Sequence, residues 1–194
     1  MKPTRTPTMP SHRHLFIITG PAGCGKSTVA KFIANQFQYP FIEGDDFHSP
    51  TNRKKMSEGH PLTDSDRWEW LHKLRDEAEK ALVSGASGAV LTCSALKRAY
   101  RDIIREVSEN DQNVLVHFIY LRATQDLLLQ RVEQREGHYM KAHMVKSQFD
   151  ILEEPDATEP DVLAVDVHGS RNDVLRLAAE AVMSAIKQDT EPRS

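Results

Sequence analysis

The sequence predicts an α/β fold: one three-layer α/β/α domain around a mostly parallel five-stranded sheet. Three observations carry that prediction. Short continuous apolar runs alternate with longer amphipathic segments along most of the chain. A glycine-rich turn joins the first run directly to the first helical segment. Charged and hydroxyl residues then collect just past the ends of the runs, where open α/β sheets carry their sites.

Leu15-Phe16-Ile17-Ile18-Thr19 reads as a central strand, because a strand covered on both faces shows no polar alternation. A helix over 26–38 follows, with Val29, Ala30, Phe32, Ile33 and Phe37 turned mostly toward the sheet. Phe41-Ile42 starts a short second strand that ends in Glu43-Gly44-Asp45-Asp46-Phe47-His48. Ser49-Pro50 places a capping hydroxyl before a proline at the first helical position, which predicts a short helix over 51–58 carrying Asn52, Arg53, Lys54, Lys55 and Met56. Gly59-His60-Pro61 breaks it, and a longer helix is expected over 66–83. Residues 89–92 form a third strand that delivers Cys93-Ser94 to the same edge, followed by Lys97, Arg98 and Arg101 on a new helix. A strand over 114–121, helices over 125–134 and 144–152, a strand over 162–167 and a helix over 172–187 complete the alternation. The glycine-containing break near 131–143, bracketed by Arg131, Arg135 and Lys141, reads as a helical lid.

With 194 residues, 39% of them hydrophobic, the chain can bury one sizeable core, read as a domain over 15–187 with a substrate-side helical insert near 50–83. The leader 1–14, rich in proline and free of acids, and the polar tail 188–194 are expected to be disordered. The leader lacks the amphipathic pattern of an organelle-targeting peptide. A net charge of −3 gives no global attraction to nucleic acid, and no apolar run is long enough to cross a bilayer. Two cysteines outside any metal-spaced pair suit a reducing, cytoplasmic setting.

Gly20-Pro21-Ala22-Gly23-Cys24-Gly25-Lys26-Ser27 has the spacing G-x-x-x-x-G-K-[ST] in strand, loop, helix order. Such a loop converges backbone N–H groups on phosphate oxygens at a positive helix start, so Gly20, Gly23, Cys24, Gly25, Lys26, Ser27 and Thr28 are candidate nucleotide contacts, with Ser27 a candidate Mg2+ ligand. Asp45, just past a strand, is a candidate general base or Mg2+ ligand through water; a turn or capping role is its structural alternative. His48 is a candidate donor to a substrate oxygen, and no His/Cys partner at zinc spacing stands near it in sequence. Arg98, Arg101, Arg131 and Arg135 offer charge for a transferred phosphoryl group. Trp68, Trp70 and Met56 are either packing or pocket residues. Cys24, beside Lys26 and a helix start, is expected either to have a lowered pKa or to serve as an inert small residue.

These blocks together resemble the thermoresistant gluconokinase family of phosphate-loop kinases. The resembling stretches are the loop itself, Gly44-Asp-Asp-Phe-His48, Asn52-Arg-Lys-Lys-Met56, 61–67 with Trp70, 93–102, 135–140, Gln148-Phe149 and 152–155. Pro21, Cys24 and Arg98 depart from the family's more usual Val, Ser and Lys. The resemblance implies a P-loop kinase fold and ATP- and Mg2+-dependent phosphorylation of D-gluconate at its 6-hydroxyl. It makes Lys26, Asp45, Arg131 and Arg135 catalytic, and Asp45, His48, Lys55, Arg98, Arg101 and His138 substrate contacts. It also implies a homodimer, while charge and hydropathy point to no nucleic-acid or membrane partner. Two readings compete: a kinase for another small anionic metabolite such as shikimate or a nucleoside monophosphate, and a non-catalytic ATP-binding regulatory protein.

Overall fold

The computed structural model describes residues 12–134 and 138–190, with side chains described over 12–134 and 142–189. Among these residues the chain runs β1 (Arg13–Thr19), α1 (Lys26–Phe37), β2 (Phe41–Ile42), a 3₁₀ turn (Gly44–Phe47), α2 (Pro50–Ser57), α3 (Asp64–Val83), β3 (Gly88–Thr92), α4 (Arg98–Asn110), β4 (Val114–Arg122), α5 (Gln125–Glu133), α6 (His138–Ile151), β5 (Val162–Asp166) and α7 (Arg171–Thr190). The strands form one sheet in the order β2-β3-β1-β4-β5. Every neighbouring pair is parallel, so the sheet is parallel throughout.

β1 is central because both of its faces are apolar. Phe16 and Ile18 enter one core with Val29, Ala30 and Ile33 of α1 and Ala178 and Val182 of α7. Leu15 and Ile17 enter the other, with Leu71, Leu74 and Leu82 of α3 and Tyr100 and Ile104 of α4. Each fully buried aliphatic side chain of this kind contributes about 1.5–3 kcal/mol relative to an exposed one, which fixes the sheet between its two helical layers.

The strand order locates the site. The chain leaves β1 for α1 on one face of the sheet and leaves β3 for α4 on the other. The loops after these adjacent strands therefore part, opening a crevice beyond their carboxyl ends. Several ends of elements differ from the sequence-based expectation. β1 starts two residues earlier, at Arg13, whose guanidinium donates to Leu82 O at 2.8 Å and pairs with Asp111. α7 continues to Thr190, past the expected start of the tail, and its Asp189 carboxylate meets His117 at 2.9 Å. Residues 1–11 and 191–194 lie outside the described residues.

Candidate active site

Gly20, Gly23 and Gly25 have φ of 138°, 84° and 104°, a backbone that side chains rarely adopt. Gly25 caps α1 in this left-handed conformation, turning the start of the helix into the loop. Lys26 Nζ donates to Gly20 O at 2.9 Å and Pro21 O at 3.0 Å, so the ammonium lies folded against the loop it serves. Thr19 Oγ1 donates to Ser94 O at 2.6 Å, tying the root of this loop to the segment after β3.

The second wall grows from β2. Gly44 approaches β3 so closely that a Cβ there would stand 2.0 Å from Thr92 O, and its N–H donates to Thr92 Oγ1 at 2.9 Å. That contact starts the 3₁₀ turn which presents Asp45 and His48. Trp70 of α3 donates from Nε1 to Gly44 O at 2.8 Å and stacks on the His48 ring at 4.1 Å, so it is a buried platform under the site. α2 begins at the Ser49 cap, whose Oγ accepts from Asn52 N at 3.1 Å. α3 begins in a reciprocal cap between Thr63 and Asp66.

These walls enclose a cavity of about 650 Å³. The loop residues Gly23, Gly25, Lys26, Ser27 and Thr28 line one side of it, and Asp45, His48, Met56 and Arg67 line another. Asp45 is the open group, its side chain 82% exposed, with His48 Nε2 at 3.9 Å. Burial, with the nearby Arg67 and Arg53 charges, lowers the His48 pKa to about 4. At neutral pH this contact therefore joins a neutral ring to a carboxylate and is no ion pair. Arg67 is 5% exposed, donates to Leu62 O at 3.2 Å, and leaves its buried Nε without a partner. A buried guanidinium on a cavity wall with so few acceptors is built to meet an anion.

A phosphate loop facing an acid, a neutral imidazole and a buried arginine is the arrangement of a small-molecule kinase. The family described as AAA domain matches residues 15–155. A probable gluconokinase of Schizosaccharomyces pombe is 42% identical over 187 residues, covering 96% of each chain. The thermoresistant gluconokinase of Escherichia coli K12 is 38% identical over 169 residues, covering 87% of this chain and 93% of that one. The chain belongs to the gluconokinase family. Its fold is similar to the crystal structure of a gluconokinase from Sinorhizobium meliloti 1021, with a TM-score of 0.78 and 35% identity over 92% of this chain and 95% of the other.

Within this family frame the structure places several of the sequence-predicted residues away from the cavity. Arg101 is no open substrate cation: it is 1% exposed, holds Glu159 through Nε at 2.8 Å and Nη2 at 2.6 Å, and donates to Ala95 O at 3.0 Å. Arg105 grips the same carboxylate at 2.7 Å, and these bonds lower the Glu159 pKa to about 2. Arg98 lies outside the cavity, donating to Thr158 Oγ1 at 2.8 Å. Lys55 pairs with Asp66 at 2.7 Å and secures the cap of α3 rather than lining the cavity. Arg131 donates to Val167 O at 2.6 Å, which holds α5 against the end of β5, while its charge still reaches Cys24.

Cys24 carries no lowered pKa. It is buried among apolar residues of the α1 face, and burial raises its pKa against the opposing pull of Lys26. Arg135 lies outside the described residues, as does the His138 side chain. Two cavity residues had no assigned role in the sequence reading. Arg67 sits one helical turn past Asp64, where a surface arginine would look the same in sequence. Gln148 of α6 accepts at Oε1 from Ala22 N at 2.7 Å, joining α6 to the phosphate loop.

Proposed function

We propose that this chain transfers the terminal phosphoryl group of ATP to the 6-hydroxyl of D-gluconate, giving 6-phospho-D-gluconate and ADP. The observation that carries the reading is the single cavity in which the phosphate loop faces Asp45, His48 and Arg67. In this reading the loop N–H groups hold the nucleotide phosphates, and Lys26 exchanges its two carbonyl acceptors for phosphate oxygens where negative charge develops. Asp45 accepts the proton of the substrate hydroxyl, and neutral His48 orients that hydroxyl without competing for the proton. Arg67 takes the sugar-acid carboxylate, a contact for which the family resemblance offered His48, Lys55, Arg98 and Arg101. Arg131 and Arg135 are assigned to closure over the phosphates, and His138 to the substrate.

Ser27 and Asp45 fit Mg2+, since both put hard oxygen donors on the cavity wall and the Asp45 carboxylate is open. When bound, that ion would neutralise charge between the phosphates. Homodimerisation stays part of this reading on family resemblance alone and is read by light scattering. Among the described residues no helix is long and apolar enough to cross a membrane.

The test is ADP formation from Mg·ATP across D-gluconate, related sugar acids, shikimate and nucleoside monophosphates, with Lys26→Ala as control. Turnover confined to D-gluconate and lost in the variant is expected. Turnover with another acceptor, or ATP binding by folded protein with no acceptor-dependent turnover, would overturn the reading.

A further inference from the structure

We propose that His14, His117 and Asp189 form a binding site for a divalent transition-metal ion, with Zn2+ as the best-suited class, at the end of the sheet opposite the phosphate loop. The sheet register places the two histidines together. β1 and β4 run parallel with Phe16 aligned to His117, so His14, two residues before Phe16, shares a face with both. Phe16 stacks on His117 at 5.3 Å and on His14 at 5.8 Å, and the imidazoles stack on each other at 5.7 Å. The C-terminal end of α7 brings Asp189 to their edges.

One ring nitrogen each from His14 and His117 and an Asp189 carboxylate oxygen all lie within 4.8 Å of one another. Asp189 Oδ2 stands 2.9 Å from His117 Nε2 and 3.5 Å from His14 Nδ1. Ligand atoms bonded at about 2.0–2.1 Å around a tetrahedral ion are about 3.3 Å apart, so closing on an ion asks for shifts on the order of 1 Å.

A plain hydrogen bond between His117 and Asp189 accounts for only part of this geometry. His14 is 5% exposed, and its Nδ1 is buried with no hydrogen-bond partner. An unpartnered buried ring nitrogen aimed at a carboxylate that already has another histidine is costly unless something bridges them. A water molecule would complete four-coordination in such a three-ligand site.

Two imidazoles and one carboxylate suit Zn2+, Co2+ or Ni2+, whereas Mg2+ prefers an all-oxygen octahedron. The site is therefore chemically separate from any Mg2+ at the phosphate loop. A bound ion would tie β1, β4 and the end of α7 together and stabilise the fold by mass action.

The experiment titrates the chelator-stripped full chain with Co2+ and Zn2+ in excess Mg2+, reading Co2+ visible absorption, stoichiometry and melting temperature. One equivalent should bind with a four-coordinate Co2+ spectrum and raise the melting temperature by several degrees. His117→Asn and Asp189→Asn, checked for folding by their metal-free melts, should each bind at least about 100-fold more weakly, since even outer-shell changes cost 10–100-fold. His60→Asn, at an exposed histidine, should bind like the parent. Binding well below one equivalent, unchanged affinity in both variants, or equal competition by Mg2+ would overturn the proposal.

Discussion

Two arginines, Arg67 and Arg101, are buried to nearly the same degree, and their surroundings assign them opposite work. Arg101 meets Glu159 through two hydrogen bonds and a backbone carbonyl through a third, so its charge is answered within the fold. Arg67 has one carbonyl acceptor and a buried Nε with none, and it lines the cavity facing the phosphate loop. The comparison teaches that partners, rather than burial or charge, separate a cation that holds the fold from one held ready for a ligand.

The strongest way to break this contrast is to empty the satisfied network. Removing one member of a buried, hydrogen-bonded ion pair costs about 3–5 kcal/mol, so Arg101→Met should lose that much in urea unfolding while the remaining folded fraction keeps its D-gluconate KM. Next in size is the phosphate loop. Lys26→Ala should lower kcat by about 10²–10³-fold, the cost typical of deleting one preorganised donor to developing charge, with an unchanged melting curve.

Smaller effects follow from protonation. The His48 pKa falls from 6.5 to about 4 on folding, so between those values the unfolded chain binds a proton that the folded chain does not. Stability therefore declines as pH drops from about 6.5 to 4. Glu159, lowered from 4.5 to about 2, adds a second decline from about 4.5 downward. Urea midpoints across this range should show both, and His48→Asn should remove only the upper one. The smallest expected change is in the stability of Arg67→Gln. Deleting an under-partnered buried charge relieves desolvation as it loses contacts, so unfolding should shift by under about 1 kcal/mol.

The layers and the loop were legible because local chemistry writes them directly. Apolar runs such as Leu15 to Ile18 mark strands, and the glycines before Lys26 mark the turn. The order of the strands was not legible, since only pairing shows that β3 and β4 flank β1. Site residues divided along the same line. Asp45, His48 and Ser27, close to the strand ends or loop that deliver them, are expected at the site from sequence and do line one cavity. The pairing of Arg101 was not legible because its partner Glu159 is 58 residues away, and the His117–Asp189 contact spans 72. Long-range partners decide what a charged side chain is for, and a sequence without the fold does not display them.

The most direct test of that contrast is the D-gluconate KM of Arg67→Gln measured beside that of Arg101→Met at saturating Mg·ATP. Loss of a charge-assisted hydrogen bond of about 1.5–3 kcal/mol should raise KM roughly 10–100-fold in Arg67→Gln and leave it near the parent value in folded Arg101→Met. An unchanged KM in Arg67→Gln together with a raised one in Arg101→Met would contradict the account.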